Sequence, residues 1–300
     1  MTLLADFIKE SINKLAPLYP DKEARSIVLL LCERLLGTKS YTHIVDPSYE
    51  IPEGKLSPLS SGMERLTSGE PVQYVLGEAE FYGHMFRVTP DVLIPRPETE
   101  QLCREAIGIG SRMFRMWQAY GKKAWPVRIL DLCTGSGCIA WTMALSVPSS
   151  EVVAVDISEG ALEVARSQDF AAELKAAGTM LPEFVKADVL DTEQEFDHGL
   201  FNLILSNPPY IMDKEKPGLR TNLSFEPDSA LFVRDDDPLV FYKAIARWSQ
   251  RFLRPEGSGL TEINELLGAE TAACFREAGF ATEIIKDFSN KDRFVLYTRR

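Results

Sequence analysis

The sequence predicts an α/β protein built on a mostly parallel, doubly wound sheet of seven strands that ends in an antiparallel hairpin. Three observations lead there. From about residue 127, short apolar runs bounded by turn residues alternate with amphipathic segments, the pattern of strands joined by crossover helices. The last two runs, 282–287 and 293–298, are joined by Phe288-Ser289-Asn290-Lys291-Asp292, which predicts a hairpin at one edge. Before residue 75 the hydrophobic period is helical, so a small helical domain precedes the sheet.

In chain order, Leu3, Leu4, Phe7, Ile8, Ile12 and Leu15 recur at helical spacing until Pro17 and Pro20 interrupt. A second helix is expected over about 23–36 with Gly37 as its C-cap, and a third, weaker one over about 61–67. These define a helical domain over residues 1–75. Residues 76–97 read as a β-hairpin linker: two short apolar runs flank Gly83-His84, and Pro95 and Pro97 then force an extended path. The remaining domain, 98–300, carries strands at 127–132, 151–155, 184–187, 201–206 and 259–263 ahead of the closing pair. Helices are expected at 138–146, 159–177, 238–252 and 266–278.

Composition narrows the function classes. A hydrophobic share of 45% and a charged share of 26% are those of an ordinary globular protein. The longest apolar stretch, 27–32, is too short to span a membrane, and the N-terminus has no secretory pattern. The five cysteines (32, 103, 133, 138, 274) form no CxxC pair, which favours reduced thiols in a cytosolic setting over a disulfide framework or a metal site. A net charge of −11 weighs against an enzyme that grips nucleic acid by its phosphates. The three histidines (43, 84, 198) are scattered and are expected to have no catalytic duty.

The chemistry is carried by strand ends. The first sheet strand leads into Asp131-Leu132-Cys133-Thr134-Gly135-Ser136-Gly137-Cys138, where glycines let backbone approach a ligand at a helix N-terminus. The second strand ends at Asp156, placed to accept from ribose hydroxyls. Gly-x-Gly-x-x-Ala with a distant acid fits a dinucleotide; Asp-x-x-x-Gly-x-Gly fits S-adenosyl-L-methionine. Asp131 favours the second, because a carboxylate repels a pyrophosphate and attracts a methionine ammonium. Asp188, at the end of the third strand, can accept from an adenine amine. After the fourth strand come Asn207-Pro208-Pro209-Tyr210. The prolines supply no N–H, so the Asn207 oxygen and a free carbonyl, backed by an aromatic ring, suit a planar nitrogen that donates two hydrogen bonds.

At this point the chain resembles the peptide chain release factor N5-glutamine methyltransferases (the HemK/PrmC family). The resemblance covers nearly the whole chain and rests on Gly69-Glu70-Pro71-Val72-Gln73-Tyr74, Phe81-Tyr82-Gly83, Ile94-Pro95-Arg96-Pro97-Glu98-Thr99-Glu100, the turn from Asp131 to Ala140, Asn207-Pro208-Pro209-Tyr210-Ile211 and Phe225-Glu226-Pro227. It implies a helical domain for release factor recognition, then a Rossmann-like methyltransferase domain that modifies the glutamine of the Gly-Gly-Gln motif in class 1 release factors. By motif position it implies a cofactor pocket of Asp131, Cys133, Thr134, Gly135, Ser136, Gly137, Asp156, Asp188, Val189 and Asn207. The substrate glutamine falls to Asn207, Pro208, Pro209 and Tyr210, with Asn207, Pro208 and Tyr210 catalytic. One departure is Cys133, where many methyltransferases carry glycine. Glu98, Glu100 and Glu226 stand near the inferred cleft, either as salt-bridged carboxylates or in a substrate role. The rivals are an exocyclic-amine methyltransferase of DNA or RNA, which shares Asn-Pro-Pro-Tyr, and a cofactor-binding module without catalysis.

Overall fold

In the computed structural model, which describes residues 2–119, 126–219 and 221–299, the N-terminal helical period becomes α1 (Leu4–Leu15), α2 (Asp21–Leu36), α3 (Thr42–Val45), α4 (Glu53–Thr67) and α5 (Val72–Leu76). Leu4, Ile8, Leu15, Val28, Leu31, Leu59, Met63 and Leu66 form their common core. The α2 helix stops at Gly37, whose φ of 72° carries the chain into the left-handed region. The α4 helix begins well before residue 61, because Leu59, Gly62, Met63 and Leu66 make one buried stripe. Packing there overrides the loop-like Gly54, Ser57 and Pro58. Arg65 pairs with Glu70 and donates to the carbonyls of Tyr74 and Val75, so Gly69-to-Tyr74 is a capping motif within this unit. The unit comprises Met1–Glu78 with Arg220–Phe225.

The second unit comprises Ala79–Leu219 and Glu226–Arg300. It opens at the second residue of β1 (Glu78–Phe81), which forms a hairpin with β2 (His84–Arg87). The turn lies one residue earlier than expected: Tyr82 and Gly83 both have positive φ, 51° and 77°, and His84 is in the strand. The long helix α6 (Pro97–Ala119) follows. Then come β3 (Val127–Leu132), α7 (Cys138–Ser146), β4 (Ser150–Asp156), α8 (Glu159–Arg166), α9 (Ala171–Ala177), β5 (Glu183–Lys186) and β6 (Phe201–Ser206). A two-strand side element, β7 (Ile211–Met212) with β8 (Phe232–Val233), is interrupted by α10 (Asp228–Leu231). The chain closes with α11 (Val240–Phe252), β9 (Leu253–Glu262), α12 (Gly268–Glu277), β10 (Phe280–Lys286) and β11 (Asp292–Arg299).

The seven-stranded sheet has the order β10-β11-β9-β6-β3-β4-β5, parallel from β9 to β5, with β10 and β11 antiparallel. All six residues of β6 are buried, as a central strand covered on both faces requires. Ile129, Leu203, Leu205 and Leu260 pack into one core; Leu130, Leu132, Ile204 and Tyr297 pack into the other. Further boundaries differ from the sequence reading. The helix expected over 159–177 breaks into α8 and α9, and the break seats Gln168, which exchanges bonds with the Arg87 backbone and donates to the Ser136 carbonyl. The β9 strand starts at Leu253 rather than 259, with a bulge where its pairing jumps from Phe201↔Leu253 to Leu203↔Ser258.

Candidate active site

Five parallel strands end on one side of the sheet, and β3 lies between β4 and β6, so the chain reverses direction of winding there. Ligand crevices form outside the carboxyl ends of strands at such a switch. A cleft of about 890 Å³, open mouth included, lies there, and every residue lining it belongs to the second unit. Cys133, Thr134, Gly135, Ser136, Asp156, Asp188, Val189, Asn207 and Pro209 line it, as do Pro95, Arg96, Thr99, Ile157, Ser158 and Phe241. Asp131, Gly137, Pro208 and Tyr210 are not in its wall.

The turn after β3 shows why. Asp131 is fully buried beneath it: Thr134 Oγ1 donates to Oδ2 at 2.6 Å, and Oδ1 has no hydrogen-bond partner. Burial first, then the charge of Asp156, pushes the Asp131 carboxyl up to about 7, against the Thr134 bond and the weaker pull of the Ala140 backbone N–H. Gly135 accepts a left-handed φ of 54°, and its N–H donates to Asp156 Oδ2 at 2.9 Å. A Cβ on Gly135 would meet nothing within 4 Å, whereas one on Gly137 would stand 3.0–3.2 Å from Trp141, Ala165 and Phe184. Gly137 at the start of α7 thus has its Cβ direction closed by packing and is not in the cleft wall. Cys133 adopts φ 61° at the position where glycine is the easier residue. Asp156 Oδ1 accepts from Ser158 N–H, and the Leu190 N–H donates to Asp188 Oδ1 at 2.8 Å.

These residues fit S-adenosyl-L-methionine. An orphaned carboxylate oxygen on Asp131 and the unpartnered, buried Ser136 hydroxyl lie at the turn. Asp156 and Asp188 bring carboxylates to the next two strand ends, and Ile157, Val189 and Phe241 bring apolar walls.

At the end of β6, Asn207 Nδ2 donates to Thr99 Oγ1 at 3.0 Å, and Thr99 donates onward to Glu262 Oε2 at 2.8 Å. Tyr210 donates to the other oxygen, Glu262 Oε1, at 3.1 Å. Glu262 is 1% exposed; burial pushes its carboxyl up to about 7, against the bonds from Thr99 and Tyr210. Burial and Glu262 together push the Tyr210 hydroxyl well above its ordinary value. Asn264 Nδ2 donates to the Tyr210 carbonyl at 3.2 Å, which fixes the loop from behind.

The acidic residues of the two remaining motifs separate. Glu226 is buried, accepting from the Ile94 N–H at 3.0 Å and from Arg96 Nη2 at 2.6 Å. That clasp holds the segment bearing Pro95 and Arg96 at the cleft. Glu100 accepts from the Tyr82 N–H, and Glu98 is exposed. The histidines lie away from the cleft: His84 packs on Phe170, His198 on Phe196, and His43 meets Arg25. Each of the five cysteines is a free thiol. Among the described residues, no helix is long and apolar enough to cross a membrane.

Thr99 and Glu262 were not among the residues singled out from the sequence. Glu262 had a legible signal: it is a carboxylate in an otherwise uncharged run, Gly259-Leu260-Thr261-Glu262-Ile263, that ends a central strand.

Comparison with known proteins gives the family. The PrmC N-terminal domain family matches residues 6–77, and the Methyltransferase small domain family matches residues 103–225. A release factor glutamine methyltransferase of Bacteroides thetaiotaomicron is 35% identical, with 100% of each chain covered. That of Flavobacterium psychrophilum is 33% identical, with 98% of each covered. Among solved structures, the hMettl16 catalytic domain in complex with MAT2A 3'UTR hairpin 6 is 13% identical with a TM-score of 0.52, covering 81% of this chain and 82% of that one; it shares the fold. With full-length relatives at this identity, the chain belongs to the release factor glutamine methyltransferase family.

Proposed function

We propose that the protein methylates the side-chain amide nitrogen (N5) of the glutamine in the Gly-Gly-Gln motif of class 1 release factors, with S-adenosyl-L-methionine as donor. The observation that carries this reading is Asn207-Pro208-Pro209-Tyr210 at the end of β6, beside a cleft that fits the donor, in a chain of this family.

When bound, S-adenosyl-L-methionine supplies a methyl group activated on a sulfonium. Cys133 to Ser136, Asp156, Asp188 and Val189 would hold it, with Asp131 giving a negative charge from beneath the turn. The acceptor is a poor nucleophile, since an amide lone pair is delocalised into its carbonyl. The protein's contribution is therefore positioning and electrostatics. Asn207 Nδ2 is committed to Thr99, which leaves Oδ1 to accept one substrate N–H. The Pro208 carbonyl accepts the second, and the Tyr210 ring packs on the amide plane. Two acceptors on one nitrogen favour its pyramidal form and direct the lone pair. The proton leaves to water once the nitrogen has gained the methyl.

The helical unit is the part we assign to release factor recognition. It exposes Tyr41, Ile44 and Val45 at 56%, 65% and 71%. The net charge of −11 supports a protein substrate over a nucleic acid.

The experiment is incubation with labelled S-adenosyl-L-methionine and either a release factor or DNA, followed by mass spectrometry. Label on the glutamine of Gly-Gly-Gln is the expected result; label on DNA, or none, overturns it. Replacing Asn207 with Ala should lower kcat on the order of 10²- to 10³-fold. Cofactor affinity should stay within a few-fold, measured by calorimetry.

A further inference from the structure

The carboxylate behind Asn207 and Thr99, Glu262, has a use that the proposed chemistry leaves unassigned. A hydroxyl has one proton to donate and lone pairs to accept with, whereas a carboxylate only accepts. Thr99 lies between Asn207 and Glu262, 3.0 Å from Nδ2 of the first and 2.8 Å from Oε2 of the second. Its proton goes to the carboxylate, so toward Asn207 it presents only lone pairs. The Asn207 amide is then held with NH₂ toward Thr99 and Oδ1 left over. Tyr210 is ordered in the same way, because its hydroxyl proton goes to Glu262 Oε1 at 3.1 Å.

We propose that Glu262 is a positioning residue that sets the hydrogen-bond direction of the Asn207 site: through Thr99 it obliges Asn207 to face the cleft as an acceptor, and through its other oxygen it holds Tyr210. This rests on the reading that the substrate is an amide, whose N–H groups require acceptors. A neutral group at 262 loses the direction. A glutamine amide, or a protonated acid, can donate to Thr99. Thr99 then donates to Asn207, the Asn207 amide turns over, and NH₂ meets the substrate NH₂.

The surroundings hold back the ionised form until about neutral pH. Glu262 is 1% exposed, and burial pushes its carboxyl up to about 7. The charged and titratable groups facing it are Tyr210, Tyr242 on α11, Glu98 and Cys103 on α6, Cys138 on α7 and Arg293 on β11. Of these, Arg293 favours the ionised form and Glu98 disfavours it. Register places the residue: Ser206 pairs with Thr261 across β6 and β9, so Asn207 and Glu262 leave adjacent strands at the same level.

The test uses the full chain, a release factor and saturating cofactor at about pH 8, above the carboxyl's value. Wild-type turnover comes first; its absence refutes the amide-methylation reading, and the proposal with it. Given turnover, Glu262→Gln should lower kcat on the order of 10²-fold with KM for the cofactor within a few-fold. Thr99→Val keeps the charge and breaks the relay, so it should fall similarly. Thr99→Ser restores the hydroxyl and should recover at least about tenfold over the valine variant. The Glu262→Gln, Thr99→Val double variant should lose little more than either single one, as residues in one chain do. Wild-type kcat should also rise with pH through about 7, and this rise should vanish in Glu262→Gln. Asp131, the other carboxyl near 7, acts on cofactor affinity and drops out at saturation. A kcat for Glu262→Gln within about threefold of wild type overturns the proposal, as do additive losses in the double variant. Should Glu262→Gln fail to fold, the valine and serine variants decide it: equal kcat in the two refutes the relay.

Discussion

A Cβ on Gly137 would stand 3.0 Å from Trp141 Cδ1 and 3.1 Å from Ala165 Cβ, with φ already at 78°, whereas one on Gly135 would project into open space. The two glycines therefore separate stability from binding. Gly137→Ala should cost about 2–3 kcal/mol of folding stability, read from denaturant unfolding, because both the backbone and the packing resist it. Gly135→Ala should cost about 1 kcal/mol from the backbone alone and show its larger effect as weaker cofactor binding in calorimetry. Asp131 gives a pH signature. Its folded value is about 7 against an ordinary 3.8, so between those values the folded protein holds more protons than the unfolded chain. Without ligand the group favours the folded state below 3.8 and takes away stability as pH rises to about 7. A ligand cation held above the turn is attracted only by the ionised form. Cofactor affinity should then rise between about pH 6 and 8 in the wild type and stay flat in Asp131→Asn, measured by calorimetry.

Among elements, the segment between β2 and α6 has little secondary structure and depends on Glu226 for its place. Removing that carboxylate strands the Ile94 N–H and leaves Arg96, whose side chain is 29% exposed, without its partner. Glu226→Ala should cost about 2–3 kcal/mol in denaturant unfolding, and Glu226→Gln less, because an amide oxygen still accepts one bond. Both should weaken cofactor binding, since Pro95 and Arg96 stand in the cleft wall. The bounds of β3, α7 and β6 were legible because each apolar run stops at a turn residue: Cys133 to Gly137 separate the first two, and Asn207-Pro208 close the third. The first two turns of α4 were not legible, because Gly54 and Pro58 are loop residues until Leu59 finds a core to fill. Nor was the gap between α8 and α9, which exists to aim Gln168 at backbone from two other elements.

For the whole molecule, the parallel doubly wound sheet and the strand-end residues of β3, β4 and β6 followed from periodicity, and the antiparallel edge followed from the short link between the last two strands, whereas the order of the strands came only from the structure. The Asn207 relay did not, since it joins side chains on three elements and no local pattern marks such a meeting. The helical unit also supports a test at this scale. If its exposed face recognises the release factor, Ile44→Asp should raise KM for that protein about tenfold or more, a loss of about 1.4 kcal/mol. The KM for a short Gly-Gly-Gln peptide should not move, in parallel steady-state assays. The separations along the chain that the cleft requires are large: Ile94 to Glu226 is 132 positions, Asn207 to Thr99 is 108, and Thr99 to Glu262 is 163. Contacts of that range form only after the intervening chain has been ordered. In synthesis order the cofactor turn precedes Asn207, and the residue proposed to order Asn207 follows both. Nascent chains that reach Tyr210 but stop short of Glu262 thus carry the Asn-Pro-Pro-Tyr sequence without the carboxylate proposed to order it, so the site is completed after its own motif has been made.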